Sequence, residues 1–430
     1  MLTTSLRRCS LFLALTVGLA AGSAALAQPY SMFKDALPMI QRSVLNDPTD
    51  TTGVPEGRMG AIAYDPTSQC MYFAAPRSGV LIVLDPSGMT RIQIVRDLNE
   101  PSGIAIVPDL RKLMLTGGDG SVKIFTINPA GTDAAGKPTP AGTLTLDKSV
   151  QFPGEADQIR YDPKSKKAYF GHGKFLSWIN PADSTKCEKS LELPGPTKGI
   201  AIDPGSSRIF VSIASKNQVL VVDRAEFKIT TTWDLKDATM PAPMALDEQN
   251  ARLFVACRNP TKLLILNSND GTEITRLDIG ADAADCWWDP MGRRVYVSCG
   301  QPGGQISMLW DKPVIPANTA TETSRLAVVK TSLESNIAPA EKAKLLSEQT
   351  ELKAKVAQIE AFAPQVGWRV EHQVDTAPGA RTSVFIPEKR RYIVCAPKQG
   401  DAATGGMPTF VYIYVLPNLT DYNFPQPKSH

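Results

Sequence analysis

The fold is decided by KGIAIDPGSSRIFVSIASKNQVLVVDRAEFKITTTWDL, residues 198–235. This stretch contains four short runs of β-branched and aromatic residues, which are GIAI, RIFVSI, VLVV and KITTTW. Turn formers separate the runs, beginning with Asp203, Pro204 and Gly205. Runs of this composition, bounded by Asp, Pro, Gly, Ser and Asn, are typical of strands in an antiparallel meander. Because one such unit cannot bury both of its faces, the chain should contain further copies.

Two markers repeat along the chain at intervals of about 42 residues. The first follows the first strand of each copy and stands at Pro66, Pro108, Pro163, Pro204, Glu248, Pro290 and Pro387. The second ends the third strand and stands at Asp85, Asn128, Asn180, Asp223, Asn267, Asp311 and Pro417. A period near 42 with four strands per repeat is typical of a β-propeller. The sequence therefore predicts an all-β, seven-bladed β-propeller with blades from about Arg58 to Pro417.

The N-terminal residues 1–27 have the pattern of a signal peptide. Arg7 and Arg8 precede the apolar run LFLALTVGLAAG, and an A-x-A cleavage site ends at Ala27. No later stretch is apolar for long enough to predict a membrane span. We therefore expect a mature chain of residues 28–430, located in a bacterial periplasm or secreted. Loss of the two arginines lowers the formal charge from +3 to +1, which argues against a nucleic-acid partner.

Two segments depart from the repeat. The run MIQRSVL, residues 39–45, precedes the first blade, whereas the last blade lacks a fourth strand. We expect this run to complete the last blade and close the ring. Within blade 6, residues 318–362 show helical spacing of apolar residues and the i,i+4 pair Lys344 and Glu348. This predicts a helical hairpin inserted in blade 6, with an apolar stripe that is covered by the ring or mediates association with another chain.

Charged residues on the first strands, and in the loops between the second and third strands, are the candidate ligand-binding groups, because the first strands of a propeller line its channel and these loops share its mouth. These candidates are Asp157, Lys198, Arg381, Asp285, Arg160, His172 and Arg258. We expect Lys198 and Arg381, as exposed cations, to meet an anionic group, and Asp157 or Asp285 to meet a hydroxyl or cation.

Arg160 departs from the repeat, because it stands three residues before the first marker, where most other blades have alanine. An unpaired buried charge is costly, so Arg160 is predicted either to form a salt bridge that joins blades or to bind an anion in the channel. Trp287 occupies the same place in blade 6 and, with Trp288, is predicted to pack in the core.

No cofactor is predicted, since the chain has only three histidines and lacks the HExxH, CxxCH, EF-hand and GxSxG motifs. A divalent metal is possible at the acidic residues of the mouth. These are Glu155, Asp157, Asp282 and Asp285. They belong to blades 3 and 6, nearly opposite each other in the ring, so solvated loops are the favoured interpretation.

The stretches RIFVSIASKNQVLVVD, ARLFVACRNPTKLLILN and RRVYVSCGQPGGQISMLWD resemble the YVTN-type, YncE-like seven-bladed propellers, and the resemblance spans about Arg58 to Pro417. GEADQIRYDPKSKKAYFGHG in blade 3 resembles exported bacterial members. Members of this broad group include binding proteins, surface proteins and sugar-lactone hydrolases, so the resemblance implies the fold and selects no function. We interpret the chain as an exported binding protein or interaction scaffold that holds a small polar ligand or a protein partner at the channel mouth. The alternatives are a metal-dependent hydrolase of the lactonase type and a non-cofactor subunit of a periplasmic redox complex.

Overall fold

The computed structural model describes residues 39–44, 57–85, 90–183, 189–301, 303–312, 320–335, 337–362, 367–398 and 409–416. The predicted signal peptide, residues 1–27, lies outside these ranges, as does the last residue of the predicted closing strand, Leu45.

The first four blades follow strand β1 (Met39–Val44). Blade 1 consists of β2 (Ile62–Tyr64), β3 (Met71–Ala75), β4 (Val80–Asp85) and β5 (Thr90–Val95). Blade 2 consists of β6 (Pro101–Val107), β7 (Lys112–Gly117), β8 (Ser121–Ile127), a small hairpin of β9 (Gly131–Thr132) and β10 (Pro138–Thr139), and β11 (Leu144–Gln151). Blade 3 consists of β12 (Ala156–Asp162), β13 (Lys167–His172), β14 (Phe175–Ile179) and β15 (Ser190–Glu192). Blade 4 consists of β16 (Thr197–Ile202), β17 (Arg208–Ile213), β18 (Gln218–Asp223) and β19 (Lys228–Asp234).

The remaining three blades carry the helical insert and the ring closure. Blade 5 consists of β20 (Thr239–Asp247), β21 (Arg252–Asn259), β22 (Thr261–Asn267) and β23 (Glu273–Asp278). Blade 6 consists of β24 (Ala281–Asp289), β25 (Arg294–Gln301), β26 (Gln305–Lys312), the helices α1 (Ala320–Leu333) and α2 (Pro339–Phe362), and β27 (Gly367–Asp375). Blade 7 consists of β28 (Thr382–Ile386), β29 (Arg391–Ala396) and β30 (Phe410–Val415), with β1 as its outer strand.

Every blade is a four-stranded antiparallel sheet, so the predicted fold class, a seven-bladed propeller with a helical hairpin in blade 6, is confirmed. In blade 7 the outer strand comes from the opposite end of the chain, because β1 pairs antiparallel with β30, with Gln41 opposite Ile413 and Ser43 opposite Val411. This pairing covers the edge of β30 that would otherwise present unpaired backbone groups.

Buried aspartates hold the first turn in several blades. Asp65 accepts a hydrogen bond from the backbone N–H of Ser68 at 2.9 Å, and Asp203 accepts one from the backbone N–H of Ser206 at 3.2 Å. Such side-chain bonds to the following backbone fix a turn locally, and the proline after the aspartate presets its φ angle. Blades 2 and 7 have Val107 and Ile386 in place of the aspartate, and a short 3-10 helix that begins at the marker proline forms the turn instead.

The apolar core lies between neighbouring blades. At the seam between blade 1 and blade 7, for example, the fully buried Phe73 and Ile82 pack with Ile393 and Val411. Equivalent clusters join blades 1 and 2, 2 and 3, 3 and 4, 4 and 5, and 5 and 6. Since each blade buries its faces against two neighbours, the first strands are left to surround the central channel.

The helical hairpin covers part of its own apolar stripe. α1 packs against α2, with Val329 fully buried. Arg325 pairs with Glu348 at 2.6 Å and Lys355 pairs with Glu322 at 2.7 Å, so ion pairs connect the two helices. Each helix therefore covers part of the stripe of the other, although Val328 and Leu346 remain exposed, and association of the insert with another chain stays a prediction. Among the helices that the structure describes, none has the length and apolarity needed to cross a membrane.

Candidate functional site

Bulges in the first strands decide which residues face the channel. The pairing register shifts between Ala156 and Ile159 in blade 3 and between Ala283 and Asp285 in blade 6, and similar shifts occur in blades 2, 4 and 5. A bulge breaks the alternation of a strand, so two consecutive residues can face the same side. As a result Asp157 and Gln158 both line the channel.

Two cavities occupy the channel, with volumes of about 460 Å³ and 330 Å³. The larger cavity extends from Arg58 and Asp157 at the mouth to Pro387 and Glu388 at the other end of the first strands. The smaller cavity lies along blades 3 to 6. Volumes of this size are typical of sites for small molecules.

Three arginines line the larger cavity without a carboxylate partner. Arg160 donates to the backbone carbonyl of Ile159 at 2.9 Å, and Arg258 donates to that of Ala283 at 3.0 Å and 3.2 Å. Arg58 is exposed at the mouth. Within the described ranges, none of the three forms an ion pair, so their guanidinium groups keep N–H donors available to the cavity.

Electrostatic coupling shows that these groups converge. Burial lowers the pKa of Arg160 below its ordinary value, while the negative charges of Asp285 and Asp157 act in the opposite direction. Burial also lowers the pKa of Arg258; the charges of Asp282 and Asp157 act to raise it, and repulsion from Arg58 acts to lower it. A half-buried guanidinium that forms no ion pair favours the binding of an anion, because the anion replaces part of the solvation lost on burial.

Asp285 is the carboxylate that faces these arginines. Its Oδ2 accepts a hydrogen bond from the backbone N–H of Ser383 at 2.7 Å, across the seam between blades 6 and 7. Burial raises the pKa of Asp285 to about 6, although the Ser383 N–H and the nearby charges of Arg160 and Arg58 act to lower it. The channel therefore holds one carboxylate that changes its charge just below neutral pH.

Asp157 and Lys198 meet at the mouth, as the sequence suggested for neighbouring blades. Lys198 Nζ lies 3.5 Å from Asp157 Oδ2, and the Ser102 hydroxyl donates to the other carboxylate oxygen at 2.9 Å. The backbone at Asp157 is also fixed, because the Thr116 hydroxyl donates to its carbonyl at 2.5 Å. Since this carboxylate is already paired with Lys198, the three arginines have no ion pair of their own within the described ranges, although Asp157 and Asp285 still attract Arg160 at longer range.

Arg160 and Trp287 lie at the same level of the channel, which we call the waist. Both are three residues before the first marker, and the other blades place small residues there: Ala63, Ala105, Ala201, Ala245 and Val384. Both side chains line both cavities. Of the two alternatives predicted for Arg160, the salt bridge between blades is absent from the described residues. Trp287 packs against the seam of blades 7 and 1 and also faces the channel, whereas Trp288 packs with Phe254 and Trp368.

His172 lies in the core rather than at the mouth, which corrects its predicted placement. Its side chain is 2% exposed and contacts Phe152, Phe170 and Phe175. Nδ1 lies 3.0 Å from the carbonyl oxygen of Pro153 and Nε2 lies 2.8 Å from the hydroxyl of Ser177, so a neutral ring satisfies both nitrogens. Burial lowers its pKa, in keeping with a neutral core histidine.

Arg381 is likewise not the exposed cation that the sequence suggested. It is 5% exposed and forms an ion pair with Asp282 across the seam between blades 6 and 7. Its backbone carbonyl accepts a hydrogen bond from the Ser298 hydroxyl at 2.6 Å. The pair is a structural link between blades, and truncation of Arg381 would leave a carboxylate without its partner.

The four acidic residues proposed as metal ligands are separated. Asp282 pairs with Arg381, Asp157 with Lys198, and Asp285 accepts from Ser383. In the part of the chain that the structure describes, no group of three or more His, Cys, Asp or Glu side chains is placed to hold a metal ion. Glu155 lines a groove at the mouth of about 280 Å³ together with Asp157, whose carboxylate is paired with Lys198.

Arg58 is the channel residue that the sequence reasoning missed. It precedes the marker Pro66 by eight residues, the same offset that places Glu155 and Asp282 before their markers. Those two were noticed because they are acidic and could hold a metal. Comparison of this offset in all seven blades would have identified the arginine.

No protein-family profile and no curated protein sequence matches the chain. Solved structures with a similar fold include the hydrazine synthase of Kuenenia stuttgartiensis, with a TM-score of 0.57 and 14% identity, covering 83% of this chain and 96% of that chain. They also include a chain of the mitotic checkpoint complex, with a TM-score of 0.59 and 9% identity, covering 97% of this chain and 99% of that chain. At these identities the likeness shows the fold alone, and the class defined here is the seven-bladed β-propeller.

Proposed function

We propose that this protein is an exported, YVTN-type propeller that binds a small anionic molecule in its central channel. The observation that carries the proposal is Arg160, which reaches the channel from blade 3 and donates only to the carbonyl of Ile159. Arg58 and Arg258 add two further guanidinium groups to the same cavity. The N-terminal sequence pattern supports export to a periplasm or to the outside of the cell.

The charge balance of the cavity supports an anion over a cation or a neutral polar ligand. Lys198 is paired with Asp157, so the three arginines face Asp285 as the remaining carboxylate near the waist. Glu388 lies at the far end of the same cavity. An acidic group on the ligand would gain charge-assisted hydrogen bonds from the arginines, which are stronger than bonds between neutral groups.

The two similar structures do not choose between the broader alternatives. One belongs to an enzyme and the other to a multi-protein complex, so a role as a subunit with a protein partner is compatible with the fold. No arrangement of the described residues favours the metal-dependent hydrolase, since its candidate ligands have separate partners.

The test compares Arg160→Met with Arg325→Met. The first change removes the charge in the channel and keeps an apolar chain, whereas the second removes an arginine from the helical hairpin and serves as the matched control. Acetate, citrate and inorganic phosphate are titrated by calorimetry and by thermal shift at constant ionic strength. We expect at least one anion to bind the wild type and the control, and to bind Arg160→Met about tenfold more weakly or not at all, since a charge-assisted bond contributes about 1.5–3 kcal/mol. Equal binding by the two variants, or no anion bound by either, would refute the proposal.

A further inference from the structure

The waist places a flat apolar surface beside the guanidinium of Arg160, which donates to the carbonyl of Ile159 and forms no ion pair in the described structure. The indole Nε1 of Trp287 donates to the Ser383 hydroxyl at 3.2 Å, so one edge of the ring is fixed. Its faces stack on no other aromatic ring in the described structure, although Trp288 beside it packs with Phe254 and Trp368. Because the Trp287 indole is held at one edge and lines the cavity, its face can stack against a planar ligand.

The wall beyond the waist is apolar as well. Along blades 7, 1 and 2, small residues leave space in the larger cavity, and aliphatic and aromatic side chains line that space. The residues concerned are Ala63, Tyr64, Ile104, Ile106 and Val384. Four residues of strand cover about 13 Å, so this wall matches the length of one or two fused rings.

The charges at the two ends of the cavity give a ligand one orientation. Arg58, Arg160 and Arg258 lie from the mouth to the waist, whereas Glu388 lies at the far end. An acidic group is attracted to the arginines and repelled by the carboxylate. An apolar body would then extend away from the acid along the wall, where Trp287 and the aliphatic side chains offer it contact.

We propose that the ligand is an aromatic carboxylate or a similar planar, apolar anion, whose acid group meets Arg160 and whose ring system lies against Trp287. This inference rests on the proposed anion-binding function and adds the chemical class of the ligand. It also assigns Trp287 as a residue that determines specificity.

Three probes separate the proposed contact of the acid group with Arg160 from the proposed contact of the rings with Trp287. 2-Naphthoate has both the charge and the rings, 2-naphthamide has the rings without the charge, and acetate has the charge without the rings. Each is titrated by calorimetry into the wild type, Trp287→Leu, Trp287→Phe and Arg160→Met. We expect wild type to bind naphthoate at least about tenfold more tightly than either other probe, because burial of the rings adds to the charge interaction.

The variants should separate the contribution of the rings to naphthoate affinity from the contribution of the charge. Trp287→Leu should weaken naphthoate about fivefold or more and leave acetate unchanged, and Trp287→Phe should restore most of the loss. Arg160→Met should bring naphthoate to the affinity of naphthamide. If acetate and naphthoate bind equally well to wild type, or if Trp287→Leu leaves naphthoate unchanged, the ligand class is wrong and the anion site stands. If Arg160→Met changes no acid's affinity, the proposed function fails and this inference fails with it.

Discussion

The carboxyl group of Asp285 gives a quantitative test of the electrostatics in the channel. Burial raises its pKa from 3.8 to about 6, against the opposing effects of the Ser383 N–H and the nearby Arg160. Asp285→Asn removes the charge, retains the size, and keeps an oxygen that can accept the 2.7 Å hydrogen bond from Ser383. The variant should therefore be more stable than the wild type at neutral pH.

The magnitude follows from the pKa. One unit corresponds to about 1.4 kcal/mol, so the full rise means that ionised Asp285 lowers the free energy of unfolding by at most about 3 kcal/mol. Water reaches the channel and screens the charge, which reduces the expected value to about 1–3 kcal/mol. Because the folded pKa is raised, the protonated carboxyl stabilises the fold below the unfolded pKa near 4, and this contribution is lost as the pH rises through about 6.

Urea unfolding of the wild type and Asp285→Asn, measured between about pH 4.5 and pH 7.5, isolates the effect, because the difference cancels the titration of all other groups. We expect the advantage of the variant to grow by about 1–2 kcal/mol across this range. The anion that binds the channel should also bind the wild type more tightly near pH 5 than near pH 7.5, since protonation of Asp285 removes a competing charge beside Arg160.

Asp270→Asn provides a control of opposite sign. The backbone N–H of Thr272 donates to Asp270 and lowers its pKa, so the wild type gains stability from this carboxylate as the pH rises. Because that gain is complete above the unfolded pKa near 4, the control should be less stable than the wild type by a constant amount across this range, whereas the advantage of Asp285→Asn grows. The free energy of unfolding of Asp285→Asn relative to the wild type could instead change by less than about 0.5 kcal/mol over this pH range. That result would mean that the channel does not disfavour the charge, and it would contradict the prediction.

Three further predictions concern the ring. Deletion of residues 28–50 exposes the edge of β30 and should lower the melting temperature and promote aggregation, and a truncated protein that melts with the wild type would contradict this. Replacement of residues 318–362 by a short Gly/Ser turn should remove the helical signal in circular dichroism. The ring should stay folded and anion binding should persist, because α1 and α2 pack on each other. Loss of the folded ring would show that the insert is core structure. Arg381→Ala should cost about 1.5–3 kcal/mol in urea unfolding, since it removes a charge-assisted bond of a buried guanidinium to the half-buried Asp282. Lys198→Ala should cost at most about 1 kcal/mol, and similar costs would show that the two cations are equally exposed.

The outcome for Arg160 and His172 shows where sequence reasoning stops. Arg160 stood out because it replaces a small residue of the repeat, and an arginine in that position had only a salt bridge or the channel to satisfy it. His172 also follows the repeat, at the end of the second strand of blade 3, but three phenylalanine rings from its own blade and the preceding loop enclose it. Those contacts are not encoded by the spacing of the repeat.

The sequence by itself determined the blade count, the strand order and the position of the insert, because these depend on local turn chemistry and on hydrophobic periodicity. Asp65 and Asp203 hold their turns with bonds to residues three positions away, so their signal is readable along the chain. Which polar side chains face the channel depends on bulges and on contacts between blades, and these are visible only in the folded structure. Bulges reorient the side chains of the first strands, and groups about 100 residues apart in the chain, such as Asp282 with Arg381 and Asp285 with Ser383, meet across the seam between neighbouring blades.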